Sequence, residues 1–455
     1  MKVTGQWYFH YGYYSNQTMV EKKDSGTHAD RTVARQRIRT QIQFIADENL
    51  SALLNLEANL DWGSRDQDLN NSKGVVHGGA GGGIDADQAT FGIKRAHLDW
   101  TIPNTQTKVR MGIQGVTMPT VAFGNPVLNA DVAGVLVSSQ LTPEIGITGF
   151  WLRPYDTTYG SGGQSNGNNS MDEMDVFGFT LPIKTDVVRV SPWAMFALIG
   201  KDSNFYNTDG DRYGRNFSGS GNFKLNPYNS GNIDSTTYAW WGGVAFELPV
   251  IDPFFVKIDA MMGGLETGDS DYDTFGYLIA ANMGYKFSFG SLAAIGWYAS
   301  GDDNIDDRGT MPIISDDGGT FNPTQVGLAG GRNRNLDSLM STNGLGMWGI
   351  GVKLADVSFV ENLKHSVTAM YMGGTNKGDS TVTRRNAHSG PLSGAYYMSS
   401  DRLYEINLQN AYKAAENLTL TLDFAYLWLD LGDHWDNKDD TTGNFATMIG
   451  VEYAF

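Results

Sequence analysis

The sequence predicts an all-β fold, a single transmembrane antiparallel β-barrel over residues 1–455, on three observations. Apolar and polar residues alternate with period two over stretches of about ten residues or more, longer than an ordinary soluble strand. The connections between these stretches alternate between short turns and long polar loops. The composition is unusual for a soluble protein: 56 glycines and only 18% charged residues, against about 7% Gly and about 25% charged on average.

The first stretch sets the pattern. Val3, Gly5, Trp7, Phe9, Tyr11 and Tyr13 share one face, and Lys2, Thr4, Gln6, Tyr8, His10 and Gly12 share the other. Ala34 to Phe44 alternates with Arg35, Arg37, Arg39, Gln41 and Gln43. Ala52 to Trp62 alternates with Ser51, Asn55, Glu57, Asn59 and Asp61. The last stretch, Phe445 to Phe455, has apolar residues at every second position. Fourteen further segments lie between, for a total of eighteen strands, or sixteen if the weak segments 133–141 and 144–154 do not span. Either even number brings the termini together, so the first and last strands can close the sheet and leave no edge. Long loops at one end and short turns at the other match an outer-membrane barrel, apolar outside and polar inside, with aromatic girdles. Trp7, Trp62, Trp100, Trp240, Trp348 and Trp428 fall on the outward face and suit those girdles.

Several classes are excluded. No run approaches the roughly 18–20 apolar residues of a spanning helix. The absence of cysteine removes disulfide scaffolds and thiol catalysis. A net charge of −17 argues against a nucleic-acid partner. No catalytic constellation assembles, so no enzyme is expected. Met1-Lys2 leads straight into the first strand without an apolar leader, and the numbering is expected to begin at the mature chain.

The terminal strand ends Val451-Glu452-Tyr453-Ala454-Phe455, an Arg ladder occupies strand two, and a long non-repetitive loop follows strand five. In these features, and in pattern over the whole chain, the sequence resembles the trimeric outer-membrane porins, in particular the homotrimeric porins of sulfate-reducing proteobacteria. The resemblance implies a homotrimer in the bacterial outer membrane, in contact with the lipid bilayer and lipopolysaccharide. Each barrel would hold a water-filled channel for passive diffusion of small hydrophilic solutes and ions. It also implies that the loop 117–132 folds inward as a constriction, with Pro119, Gly124 and Pro126 fixing its bends and Phe123 and Asp131 presented to the pore.

The expected pore wall is basic. Arg35, Arg37 and Arg39 share a face, as do Lys108 and Arg110, and Arg95 and His97 point inward if a bulge near Lys94 corrects the alternation. A three-residue turn at Asp47-Glu48-Asn49 sets Arg35 opposite Asp61, Arg37 opposite Asn59 and Arg39 opposite Glu57. With Asp131 on the facing loop, a transverse field and a weak anion preference follow. The alternative is a substrate-selective channel: a lengthwise aromatic track would favour sugars, and a multi-level Arg/Lys staircase an anion such as sulfate. Tyr8, Trp193 and Trp241 are lumen aromatics too scattered for a track.

The negative charge concentrates in the expected external loops, with seven acids against three bases in 301–345 and five against one in 430–443. No resident cofactor is expected. A structural Ca²⁺ in these loops has weak candidate ligands in Asp302, Asp303, Asp306 and Asp307. Asp269 to Asp273 lacks the Gly and Glu of a calcium loop. Gly78 to Gly83 lacks the Lys-Ser/Thr of a phosphate loop. The seven histidines show no metal-ligand spacing.

Overall fold

In a computed structural model the described residues are 1–15, 30–63, 91–156, 173–201, 236–268, 273–303, 309–314, 321–324, 344–377, 397–433, 435 and 438–455. They form one antiparallel sheet. Its strands are β1 (Lys2–Ser15), β2 (Arg31–Ile45), β3 (Leu50–Asp61), β4 (Gly92–Thr101), β5 (Thr107–Thr117), β6 (Asn129–Gln140) and β7 (Gly146–Asp156). They continue with β8 (Glu173–Thr180), β9 (Ile183–Lys184), β10 (Arg189–Ile199), β11 (Thr237–Leu248), β12 (Phe254–Glu266) and β13 (Thr274–Phe287). The last six are β14 (Gly290–Ala299), β15 (Met347–Val360), β16 (Leu363–Gly374), β17 (Arg402–Ala415), β18 (Leu418–Asp430) and β19 (Asn444–Ala454). β1 pairs with both β2 and β19, so the sheet closes.

Nineteen segments make eighteen spans. β8 and β9 lie on β10 in one uninterrupted register, Thr180 opposite Trp193 and Ile183 opposite Val190. Leu181 N donates to Pro192 O between them. Pro182 has no N–H to give, which divides one strand into two. Both weak segments form full strands, β6 and β7, so the count is eighteen rather than sixteen.

The short turns are built by side chains that replace backbone partners. Asp47 Oδ1 accepts from Asn49 N and Leu50 N at 2.7 and 2.9 Å, and Thr142 and Thr185 hydroxyls do the same for Ile145 and Val188. The Asp47 turn sets the register expected for β2 and β3, Arg35 opposite Asp61, Arg37 opposite Asn59 and Arg39 opposite Glu57.

The outer surface is apolar. Tyr11, Ile449, Trp428 and Phe177 are each about half exposed, as lipid-facing side chains of an isolated chain are. Trp62, Trp100 and Trp7 are also exposed, whereas Trp240 and Trp348 are half-buried beside Phe275 and Tyr371. Aromatic rings line the short-turn end from Phe254 through Tyr285, Phe287 and Phe289 to Phe359. A second row, Trp348, Tyr371, Tyr404 and Trp428, lines the long-loop end.

The interior divides in two. Along β1 to β5 the inward residues are polar and charged. Along β10 to β18 they are mostly apolar, among them Trp193, Trp241, Leu265, Trp297, Met347 and Leu427, all buried. Three indoles lie over glycines of the next strand: Trp193 over Gly243, Trp241 over Gly263 and Trp297 over Gly349, where an added Cβ would stand 2.2–2.6 Å from the ring. This apolar arc is covered by loop residues, not left open to water. Met118, Val127 and Leu128 join its core, as do Met311, Ile313, Ile314 and Phe321. The loop 301–345, expected to stay external, therefore sends its described segments 309–314 and 321–324 into the barrel. The driving force is burial of their apolar side chains.

Candidate functional site

On the basic wall the ladder forms as the register requires. Arg35 Nε donates to Asp61 Oδ1 at 2.5 Å, Arg37 Nε to Asn59 Oδ1 at 2.5 Å, and Arg39 Nε to Glu57 Oε2. Opposite these arginines, β1 presents His10, Tyr8 and Gln6 in turn, and the Tyr8 and His10 rings stack at 6.0 Å. Lower on the wall, Asp99 accepts two bonds from Arg110, 2.6 and 2.9 Å, and holds Lys108 at 2.8 Å. His97 is buried, with Nδ1 3.3 Å from Ile113 O.

The bulge falls at Lys94, between the pairs Arg95–Asn55 and Ile93–Leu56. It returns Ile93 to the lipid face and sends both Lys94 and Arg95 to acids. Lys94 Nζ lies 2.6 Å from Asp131 and 3.7 Å from Glu57, and Arg95 Nε donates to Asp131 at 2.6 Å. Asp131 is thus placed differently from expectation. The loop is shorter, 118–128, because β5 runs to Thr117 and β6 starts at Asn129, and Asp131 lies within β6. Its carboxylate neutralises the basic wall and does not face it across open water.

The loop itself is self-bracing. Pro119 O accepts from Asn125 Nδ2, Asn125 Oδ1 accepts from Val127 N at 2.9 Å, and Thr120 Oγ1 accepts from Gly124 N. Gly124 adopts φ +110°, a turn that a side chain would strain. The loop crosses the lumen to the far wall. Asp259 on β12, 1% exposed, accepts from Thr120 Oγ1 at 2.7 Å and from Val121 N and Ala122 N at 2.8 Å. Asp259 is opposite in parity to lipid-facing Met262, so it projects inward, and β12 stands five strand steps from β6 around the sheet. The interior is the path that joins them.

The inserted part of 301–345 straps this loop from above. Ile314 N donates to Val127 O and Asn322 N to Phe123 O. The Phe123 ring meets Phe321 edge-on at 5.8 Å, and Phe321 meets Trp297 at 5.6 Å. Trp241 Nε1 donates to Pro312 O at 2.7 Å. Trp241 and Trp297 are therefore structural supports beneath the strap, whereas Tyr8 belongs to the basic wall. Sequence reasoning missed Asp259 and the strap; the available signal for Asp259 was an acid on the inward alternation of β12, between Lys257 and Met261.

Asp302 is buried, with its carboxylate accepting from Thr310 N at 2.9 Å, and Asp303 pairs with Lys377 at 2.9 Å. Both carboxylates take part in local loop structure. Asp306 and Asp307 lie outside the described residues, as do Asp269, Asp271, Gly78 to Gly83, and His28, His77, His388 and His434. Among the described residues no cluster of metal-binding side chains occurs.

No family model matches the chain, and no curated protein does. Solved structures do. The chain is similar to Acinetobacter baumannii OccAB3 (TM-score 0.54, 10% identity, covering 100% of this chain and 99% of that one). It is similar to Pseudomonas aeruginosa OccK9 (OpdG), with TM-score 0.55, 11% identity and coverage of 100% and 97%. It is also similar to Pseudomonas aeruginosa OpdK, solved with vanillate, with TM-score 0.54, 8% identity and coverage of 100% and 98%. At these identities the likeness establishes the architecture: this chain folds as a closed eighteen-stranded barrel of the outer-membrane porin type.

Proposed function

We propose that the protein is an outer-membrane porin whose water-filled channel passes small hydrophilic solutes and prefers anions. The observation that carries this reading is the composition of one wall. Among the described residues of this wall, five cationic side chains (Arg35, Arg37, Arg39, Lys108 and Arg110) are set against three carboxylates, Glu57, Asp61 and Asp99, while Lys94 and Arg95 close on Asp131. The cations occur at successive positions along the strands, so a multi-level staircase is present, and a low-dielectric wall with excess positive charge concentrates anions. Salt bridging moderates the excess without cancelling it. Arg37 sits in the middle of this ladder, donating to the neutral Asn59 with Glu57 3.9 Å away.

The selective version of this reading is favoured over a general diffusion pore by the crossing loop, its strap and the filled apolar arc, all of which take up lumen space. The neighbour OpdK was solved with vanillate, an organic anion, which is consistent with a carboxylate permeant here. The sugar version has less support, since Trp241 sits under the strap and Trp193 is buried. A homotrimer is the assembly that the sequence resemblance implies; the mass of the detergent-solubilised protein tests it, and a single-chain mass would exclude it.

The channel reading is tested in planar bilayers under a KCl gradient. The reversal potential should report anion preference, and Arg37→Glu should move it towards cation preference. An unchanged potential in that variant would remove the basic wall from the selectivity path, and absence of conductance would remove the channel altogether.

A further inference from the structure

The β4–β5 seam is paired over only part of its length. β4 and β5 pair from Thr101–Lys108 up to Ala96–Ile113 and no further, although both strands continue upward. Gly92 to Arg95 stay on β3 through the Lys94 bulge, and Gln114 to Thr117 stay on β6. The β5–β6 hairpin therefore rises past its last rung with β4. Gly112 stands beside that last rung with φ +125°, and a Cβ there would meet Ala96 O at 2.3 Å. It is a bend that glycine alone allows.

Side chains span the open seam where the ladder has ended. The Arg95 guanidinium lies in the space that a side chain on Gly115 would fill, with Nη2 2.5 Å from the position of such a Cβ. From there it reaches Asp131 on the far strand of the hairpin, and Lys94 Nζ takes the other carboxylate oxygen. In a flat ladder β3 and β6 would stand roughly 14 Å apart, three strand spacings. Yet the Lys94 ammonium lies 2.6 Å from Asp131 and 3.7 Å from Glu57 on β3. The upper hairpin has left the flat ladder, and the charged clasp holds it where it has gone. At its tip is the loop 118–128 that Asp259 catches on the opposite wall.

We infer that Lys94, Arg95 and Asp131 are positioning residues: they hold the β5–β6 hairpin, bent at Gly112, in the posture that carries the crossing loop into the channel. They are not interchangeable with Arg37 as steps for a passing anion. This rests on the porin reading, and its signature differs from that of a selectivity residue. Loss of the clasp lets the hairpin move, so open-channel current rises and becomes noisy while ion preference stays near its starting value. Loss of Arg37 changes preference with little effect on current.

The test uses the full chain in planar bilayers, with folding of each variant checked by circular dichroism. Arg95→Gln and Asp131→Asn should raise unitary conductance and open-state noise, and Asp131→Glu should restore quiet openings. Gly115→Leu removes no charge but expels the guanidinium from its seat; it should reproduce the noise with the wild-type reversal potential. High salt should reduce the difference between wild type and Arg95→Gln, since screening shortens from about 10 Å at 0.1 M to about 3 Å at 1 M. Quiet, unaltered conductance in both Arg95→Gln and Gly115→Leu would overturn the inference. So would an Arg95→Gln shift in reversal potential equal to that of Arg37→Gln with no change in current. A wild-type protein that conducts nothing would instead defeat the porin reading beneath it.

Discussion

Asp259 is buried, and its carboxylate is compensated by a hydroxyl and successive backbone N–H groups of the crossing loop. A buried carboxyl group in that setting is tolerated because its two oxygens accept from the loop's hydroxyl and N–H groups. The same donors would be orphaned by its removal, at about 1–3 kcal/mol for a buried group. Asp259→Ala should therefore lower the thermal unfolding midpoint and raise unitary conductance, both measurable on the purified barrel. A variant with wild-type conductance would show that the loop holds its place without this anchor. The arginines of β2 show the opposite economy. They were legible in the sequence together with their partners, because a three-residue turn and period-two alternation leave a single register for Arg35, Arg37 and Arg39. Asp259 was not, since its partners come from a loop more than a hundred residues away.

Elements in this barrel gain stability where aromatic rings find glycine. Trp297 lies flat across Gly349, and a Cβ there would come within 2.2 Å of the ring. Gly349→Leu should displace the indole and with it the Phe321 contact that seats the strap. An overpacking cost of about 1–3 kcal/mol follows, read as a lower unfolding midpoint in detergent, together with altered tryptophan fluorescence. An unchanged midpoint would mean that the indole has an alternative seat. The strands themselves were readable from alternation, but β8 and β9 become one span only when their common register on β10 is seen. The bulge at Lys94 was foreseeable because the parity of Ile93 and Arg95 conflicts without it. Its consequence, a clasp onto β6, was not.

At the scale of the whole molecule, the apolar exterior is the property that separates this chain from a soluble β-protein. Ile449 lies mid-strand on β19 and is 57% exposed among other apolar residues. Ile449→Arg would place a charge against hydrocarbon, costing about 2–4 kcal/mol near the bilayer midplane. The expected outcome is impaired folding into lipid vesicles with nearly normal behaviour in detergent micelles, and equal folding in both would contradict a lipid-facing surface. The β1–β19 pairing closes the sheet, with Phe455 N donating to Gly5 O and Gly5 N to Phe455 O.

The primary structure by itself determined the class, the outward stripe and the cross-strand partners of the β2 arginines, because each follows from period-two alternation or from a short turn. Only the tertiary structure decided what occupies the interior: which loops enter, that Asp131 closes a seam, and that the apolar arc is covered by 309–314 and 321–324. Those contacts join residues far apart in the chain, and an inward apolar side chain reads the same whether its neighbour is lipid, a loop or water until the barrel has closed around it.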